Sequence, residues 1–264
     1  MSGADHLLVR QDGACLHLTL NRPEKLNALT TETVTGLTHA IQQASTDPEV
    51  RAILLTGTGR AFCTGQDLGR RNPDGPDWPP DLSASVETVY GPLIKSILRS
   101  PKPLVCAVNG VAAGAGANLA LACDIVLASK TARFIQSFSR VGLIPDAAGT
   151  WVLPRLIGLA RARAICLTGR PVTAAEAEAW GMIWKSVPDP DLAAEARALA
   201  TSLAAGPTRA LGLTKEALLA SAGASLDEQI SAEARAQAEA GATSDYAEGV
   251  RAFLQKRQPR FRGE

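Results

Sequence analysis

Proton chemistry in the middle of this chain would have to rest on very few residues. Between Glu87 and Glu176 the sequence contains two carboxylates, Asp124 and Asp146, and no histidine. Asp146 stands in Gly142-Leu143-Ile144-Pro145-Asp146-Ala147-Ala148-Gly149-Thr150, a turn-forming run that could hold a carboxylate at the mouth of a pocket. It also reads as a helix N-cap, because an Asp before a helical run accepts backbone N–H bonds and complements the positive end of the helix dipole. Local sequence alone favours the cap.

Glycine turns offer the complementary chemistry. Asn109-Gly110-Val111-Ala112-Ala113-Gly114-Ala115-Gly116-Ala117-Asn118 follows a predicted strand and opens a predicted helix, where free backbone N–H groups can hold an anion. The dinucleotide fingerprint fails, because Leu119 occupies its third small position, and no Gly-Lys-Ser/Thr follows to make a phosphate loop. An oxyanion hole remains, with close helix packing as the alternative. Such a hole takes donors from separate segments, and the second candidate is Phe62-Cys63-Thr64-Gly65-Gln66-Asp67-Leu68, another strand exit with a glycine at its bend.

The elements that must position these turns follow from periodicity. Cys15 to Leu20 alternates as a strand, and after the turn Asn21-Arg22-Pro23 an amphipathic helix is predicted from Thr30 to Ala44. Arg51 to Thr56 reads as a buried strand, Ser85 to Leu98 as a helix, Pro103 to Val108 as a strand, Gly114 to Ala122 as a helix and Asp124 to Ala128 as a strand. This alternation predicts an α/β core with largely parallel strands. Gly69 to Asp81, rich in proline around three aspartates and Trp78, reads as a mobile surface loop or a lid. From Ala160 strand signals fade, and helices are predicted over Leu159–Leu167, Thr173–Ala179, Leu192–Leu203, Thr208–Ala220, Leu226–Ala240 and Tyr246–Leu254. Gly206-Pro207 marks a boundary between a core of residues 1–205 and a helical appendage of residues 206–264, whose apolar face an oligomer would bury.

Composition narrows the function classes. At 264 residues, 46% hydrophobic and 20% charged, the chain is an ordinary globular one, and its net charge of +1 argues against nucleic acid or anionic membrane as the main partner. Cys15, Cys63, Cys106, Cys123 and Cys166 lack metal-type spacing and read as buried reduced thiols. Met1 to Arg10 lacks the pattern of a signal peptide, and no apolar run reaches spanning length, so a cytoplasmic location is expected. His6, His17 and His39 form no ligand cluster, and neither a metal nor a redox cofactor is expected.

Asn21-Arg22-Pro23 with Asn27-Ala28-Leu29, then Phe62 to Leu68, Pro103 to Asp124, Gly142 to Thr150 and the C-terminal Phe253-Leu254-Gln255-Lys256-Arg257, in this order, resemble the crotonase (enoyl-CoA hydratase/isomerase) superfamily over nearly the whole chain. The resemblance implies a spiral of ββα repeats and a C-terminal helical domain that builds trimers, often paired into hexamers. It implies an acyl-CoA substrate, with CoA as part of the substrate rather than a cofactor, whose thioester oxygen is held by the N–H groups of Gln66, after Gly65, and of Ala115.

The superfamily's hydratases use two glutamates, and the matching positions here are Asn118 and Phe138, neither of which exchanges a proton. Its third catalytic position, used by several isomerases, is Asp146. The runs Phe138 to Asp146, Gly149 to Arg155 and Trp180 to Trp184 resemble isomerases of the superfamily that act on an aromatic-ring epoxide thioester and also shift a 3-enoyl double bond. The expected activity is therefore acyl-CoA isomerisation with Asp146 moving the proton. Asn118 would support the acyl pocket, hydrogen-bond Asp146 or simply pack its helix, and Phe138 would line a ring-sized pocket or sit in the core. For CoA, the resemblance points to Arg22 and Lys25, to the Ala61 to Asp67 strand edge, and to Phe253 and Lys256, with solvated surface charge as the alternative for each cation. Asp67 reads as a brace of its turn and Asp124 as structural. A fatty-acid enoyl-CoA isomerase, a hydratase-like enzyme of β-oxidation, an aromatic-CoA dehalogenase and a non-catalytic acyl-CoA-binding trimer are the rival readings.

Overall fold

The alternating run Cys15 to Leu20 forms the second strand of the protein, seen in a computed structural model that describes residues 6–69, 71–76 and 78–264. Residues 1–5 of the leader reading and Arg70 and Asp77 of the 69–81 loop lie outside the described residues. The N-terminal part runs β1 (Leu7–Asp12), β2 (Cys15–Leu20), α1 (Thr31–Thr46), β3 (Ala52–Gly57) and β4 (Ala61–Cys63). Thr30 caps α1 by accepting from the Thr33 N–H. Next come α2 (Leu82–Ser85), a π turn over Val86–Tyr90, α3 (Gly91–Arg99), β5 (Leu104–Val108), β6 (Val111–Ala113), α4 (Ala115–Leu121), β7 (Ile125–Ser129) and β8 (Arg133–Ile135). The remainder is α5 (Gly149–Thr168), β9 (Pro171–Thr173), α6 (Ala174–Ala179), β10 (Lys185–Val187), α7 (Leu192–Ala204), α8 (Thr208–Ser221), α9 (Leu226–Gly241) and α10 (Ser244–Leu254).

Strand pairs alternate between two sheets. The larger has the order β1-β2-β3-β5-β7-β10 and the smaller β4-β6-β8-β9. In the pairs β3/β4, β5/β6 and β7/β8 the first strand joins the large sheet and the second the small one. Pairing is parallel except between β1 and β2 and between β8 and β9. This is the spiral of ββα repeats that the resemblance implied, and the parallel α/β expectation holds with it.

Two sequence expectations need correction. Strand structure does not end near Ala160: β9 and β10 follow, but with three residues each they are too short to show a period. The helix expected over Leu159–Leu167 is present, but a further helical segment from Gly149 precedes it, which the sequence hides because Pro154 interrupts its pattern. Gly158, at φ 75 and ψ 158, breaks the run into two helical segments.

Period-two alternation divides the core. Leu16, Leu18, Leu20, Ile53 and Leu55 face the main cluster with α1 and α3, while Cys15, Ala52, Leu54, Val105 and Leu127 face α7. Both faces are covered, so these strands read as near-continuous apolar runs. Leu192, Ala196, Ala200 and Ala204, spaced by four, give α7 a small-residue stripe against the sheet. Burial of the thiols agrees with their expected role, since all five cysteines are free, four are buried and Cys166 is half-buried.

The helices beyond Gly206 are pinned to this core by two cations. Arg51 donates to the Thr208 hydroxyl at 3.0 Å and to the carbonyls of Phe261 and Gly206. Lys215 pairs with Asp124 at 2.6 Å, whose carboxylate also accepts from the Leu104 N–H, so Asp124 is a structural brace. Elsewhere these helices expose apolar residues, with Phe253 83% and Leu254 74% accessible. No helix of the described residues is long and apolar enough to cross a membrane.

Replacing Arg51 by Ala removes three charge-assisted or polar contacts at once. The expected cost is about 2 kcal/mol, read as a lower denaturation midpoint and faster tryptic cleavage of the C-terminal helices.

Candidate active site

Asn27 fixes one wall of the site. In the left-handed region at φ 56 and 2% exposed, it accepts from the Arg22 N–H at 2.8 Å and donates to the carbonyls of Thr58 and Ala61, each at 2.9 Å. Leu29 then bridges to Gln66, using its N–H to reach the Gly65 carbonyl at 2.7 Å and its carbonyl to accept from Asp67 at 2.9 Å. Because neighbouring residues of an extended chain point their polar groups to opposite sides, the Gln66 N–H faces away from Leu29.

Gly65 itself packs against the other glycine turn. Gly65, at φ 92, has no room for a side chain: a Cβ would lie 3.0 Å from the Ala113 carbonyl and 3.4 Å from the Ala115 nitrogen. At Gly116 a Cβ would meet the Cys63 carbonyl at 2.4 Å. Ala115 opens α4, where an N–H has no intrahelical acceptor. The Gln66 and Ala115 amides therefore belong to two strand exits in close contact, as the expected pair of donors would require.

Asp146 is not a helix cap, which corrects the local reading. The N-cap of α5 is Ala148, in the left-handed region, and no side chain caps it. The Asp146 carboxylate turns inward instead, and its buried Oδ1 has no hydrogen-bond partner among the described residues. Burial pushes its pKa up to about 6, outweighing a hydrogen bond from its own backbone. A carboxylate so placed is suited to exchange a proton near neutral pH.

Its backbone is held by two buried amides. Asn118, fully buried on α4, donates from Nδ2 to the Asp146 carbonyl at 2.8 Å and accepts from Gln136 Nε2 at 2.9 Å. The Gly149 N–H donates to the same carbonyl at 2.8 Å, and a Cβ on Gly149 would lie 2.3 Å from Asn118 Nδ2. Asn118 stands one turn beyond Ala115, so a single helix sets both an oxyanion donor and the carboxylate. Phe138 is 7% exposed and packs its ring on the Gly114 turn.

Tyr90 and Gln136 belong to this site although nothing in their local sequence marked them. Tyr90, with Gln66, Asp67, Leu29 and Arg71, lines a cavity of about 300 Å³. Its phenol is pushed well above the ordinary value, first by burial and next by the negative charge of Asp146. Cys63 is also close but buried, and burial pushes its thiol up to about 12, which makes it inert.

The expected CoA contacts are divided. Ala61 is buried and pairs with Val111 in the small sheet, and Lys25 is exposed at the end of a turn beside the wall. Arg22 is committed elsewhere: it pairs with Asp67 at 2.9 Å and donates to the Ala28 carbonyl at 2.6 Å. Asp67 braces its turn, and its pKa lies below the usual carboxylate range because it accepts from the Gly69 N–H and from Arg22. Phe253 sits at the end of α10 and Lys256 two residues beyond it. Phe253 lines a different cavity, of about 560 Å³, together with Tyr246 and Leu254. Within one chain these two are not brought to the Gln66 cavity. Among the described residues no group of three or more His, Cys, Asp or Glu side chains could hold a metal ion.

Comparison with known proteins places this geometry in context. The enoyl-CoA hydratase/isomerase family profile matches residues 10–264. A 1,2-epoxyphenylacetyl-CoA isomerase from Escherichia coli K12 is 48% identical over 260 residues, covering 98% of this chain and 99% of that protein. A probable enoyl-CoA hydratase from Rhodobacter capsulatus is 48% identical over 93% of each chain. A solved structure of a putative enoyl-CoA hydratase/isomerase from Mycobacterium abscessus superposes with a TM-score of 0.93 at 37% identity, covering 98% of this chain and all of that one.

The folded pKa of Asp146 lies above its ordinary value, so its charge costs nothing below about pH 4, costs progressively more as pH rises to about 6, and costs its full amount above that. Asp146→Asn is therefore expected to be more stable at pH 7.5, on the order of 1–2 kcal/mol after discounting for partial exposure. The gain should vanish at pH 4 in denaturant titrations. Asn118→Asp replaces a donor to the Asp146 carbonyl with a second buried carboxylate. It should lift the Asp146 pKa further, by about one unit or more, as read by carbon-13 NMR titration of that carboxyl.

Proposed function

The chain belongs to the enoyl-CoA hydratase/isomerase family, and on that premise we propose that it is an acyl-CoA isomerase that converts ring-1,2-epoxyphenylacetyl-CoA to 2-oxepin-2(3H)-ylideneacetyl-CoA and shifts 3-enoyl-CoA to 2-enoyl-CoA. The observation that carries this reading is the isolated carboxylate: Asp146 is half-buried, has one buried oxygen without a partner and has its pKa pushed up to about 6. The two positions where the superfamily's hydratases place glutamates hold Asn118 and Phe138. One carboxylate suits proton transfer between two carbons, because the group that takes the proton can return it. Adding water requires a second acid or base, and these side chains supply none.

In this mechanism the thioester oxygen accepts from the Gln66 and Ala115 N–H groups, each worth roughly 2.7–4 kcal/mol in enzymes where such a donor was removed. Asp146 removes a proton from the carbon beside the thioester, and the enolate charge is held by the two donors. The electrons then move along the acyl group, into the double-bond shift or the epoxide ring expansion, and Asp146 returns the proton at the distal carbon. No atom is gained or lost, and no metal or redox cofactor is required.

The Ala61 to Asp67 edge would carry the pantetheine arm, and Lys25 would offer an exposed cation to the phosphates. Arg22 serves by holding Asp67 and the wall. Phe253 and Lys256 would act on the site of a neighbouring copy, in a homotrimer or a dimer of trimers that covers the apolar faces of the C-terminal helices. A fatty-acid enoyl-CoA isomerase would use the same Asp146 chemistry with another acyl group, and the Escherichia coli relative favours the aromatic substrate. A non-catalytic scaffold has no need for a buried carboxylate of raised pKa.

The test offers the purified protein 1,2-epoxyphenylacetyl-CoA, a 3-enoyl-CoA and crotonyl-CoA. Isomerisation of the first two is expected, with kcat/KM rising with pH through a midpoint near 6 as Asp146 ionises. Asp146→Asn should lower kcat by about 10³-fold or more. Fast hydration of crotonyl-CoA would overturn the assignment.

A further inference from the structure

Tyr90 is placed with unusual local effort. It ends the π turn Val86–Tyr90, a wider turn that inserts one extra residue into an otherwise α-helical stretch. The following Gly91 cannot be replaced without strain, since its Cβ would lie 2.8 Å from the Val86 carbonyl. The result is a ring only 4% exposed that borders the cavity shared with Gln66. Among the described residues its hydroxyl makes no hydrogen bond, and it opens on the cavity rather than into the core. The hydroxyl thus carries an unused donor at the cavity wall, which a substrate oxygen could take.

We propose that Tyr90 is a specificity-determining residue whose hydroxyl donates a hydrogen bond to an oxygen atom carried on the acyl group. The site then selects oxygen-bearing cyclic acyl thioesters over plain hydrocarbon ones. This rests on the acyl-CoA isomerase reading given above and names the substrate class of that same site. An epoxide or ring-ether oxygen can only accept, and the phenol, held protonated by burial and by the charge of Asp146, can only usefully donate. A hydrocarbon chain in the same place leaves the hydroxyl unpaired, which is the arrangement that discriminates most strongly between substrates. After burial, the negative charge of Asp146 is the largest influence on the Tyr90 phenol, so the two groups share one electrostatic environment.

The test compares wild type with Tyr90→Phe, which deletes one oxygen and keeps the ring. The ratio of kcat/KM for 1,2-epoxyphenylacetyl-CoA to that for 3-hexenoyl-CoA is expected to fall about 30-fold or more in the variant. An unchanged ratio overturns the proposal, because a hydroxyl that merely orients Asp146 would slow both reactions alike. Calorimetry with two unreactive isosteres, 2-methoxyphenylacetyl-CoA and 2-ethylphenylacetyl-CoA, gives a readout that needs no turnover. Wild type is expected to prefer the methoxy ligand about tenfold and Tyr90→Phe to show no preference. Absence of the preference in wild type overturns the proposal even where the variant does not fold. If wild type isomerises neither thioester, the functional reading fails, and the isostere pair still decides the role of Tyr90.

Discussion

The contact between the Cys63–Gly65 strand exit and the first turn of α4 is the constraint on which the site depends. A Cβ at Gly116 would stand 2.4 Å from the Cys63 carbonyl, so the two backbones touch with nothing between them. That approach sets the segments that carry the Gln66 and Ala115 N–H groups against each other, and it can be made only where both give up side chains. The surrounding framework keeps it from relaxing. β4 and β6 are neighbours in the small sheet, Asn27 ties the Arg22 turn to Thr58 and Ala61, and Asp67 locks Arg22 against the same wall. Rigid donors aimed at a developing charge need no reorganisation during reaction, which is why such tight packing is worth its strain.

Asp146 shows the opposite economy. Its carboxylate lies in an environment that raises its pKa to about 6, and one oxygen is left without a partner. Structural carboxylates of the same protein are treated otherwise: Asp67 accepts from the Gly69 N–H and Arg22, and Asp245 accepts from the Arg262 and Gly263 N–H groups at 2.6 and 2.7 Å. The neighbours of Asp146 fasten its backbone and leave its head free. Asn118 and Gln136 do this with neutral amides, which hold a carbonyl without adding charge beside the base. A poised, mobile proton acceptor on a fixed backbone is what proton transfer between two carbons requires.

Much of this was legible in the residues. The strands Cys15–Leu20 and Leu104–Val108 and the Thr30-capped helix followed from period and capping chemistry, and they lie within a residue or two of expectation at most ends. The glycine turns announced a close approach, since two strand exits with Gly65 and Gly114-Ala115-Gly116 leave few other uses. What stayed hidden has physical reasons. Strands β4, β6, β8, β9 and β10 are too short to carry a period, and Pro154 with Gly158 disguised the start of α5. Tyr90 and Gln136 reach the site through a π turn and a buried amide pair, features that no local pattern encodes.

Sequence by itself determined which residues could do the chemistry: a lone Asp146 in a stretch without histidine, paired glycine turns, and Asn118 and Phe138 where a second acid would be needed. Its local run favoured a helix cap for Asp146, and the two glycine turns with the missing second acid turned the expectation to a base. Only the tertiary structure decided that it is no cap, because Ala148 takes that position and Asn118, twenty-eight positions away, grips the Asp146 carbonyl. The same holds for Arg22, whose charge reads as free in the sequence and is consumed by Asp67 in the fold. Residue type fixes what a group is able to do, and long-range packing fixes which of those uses remain open.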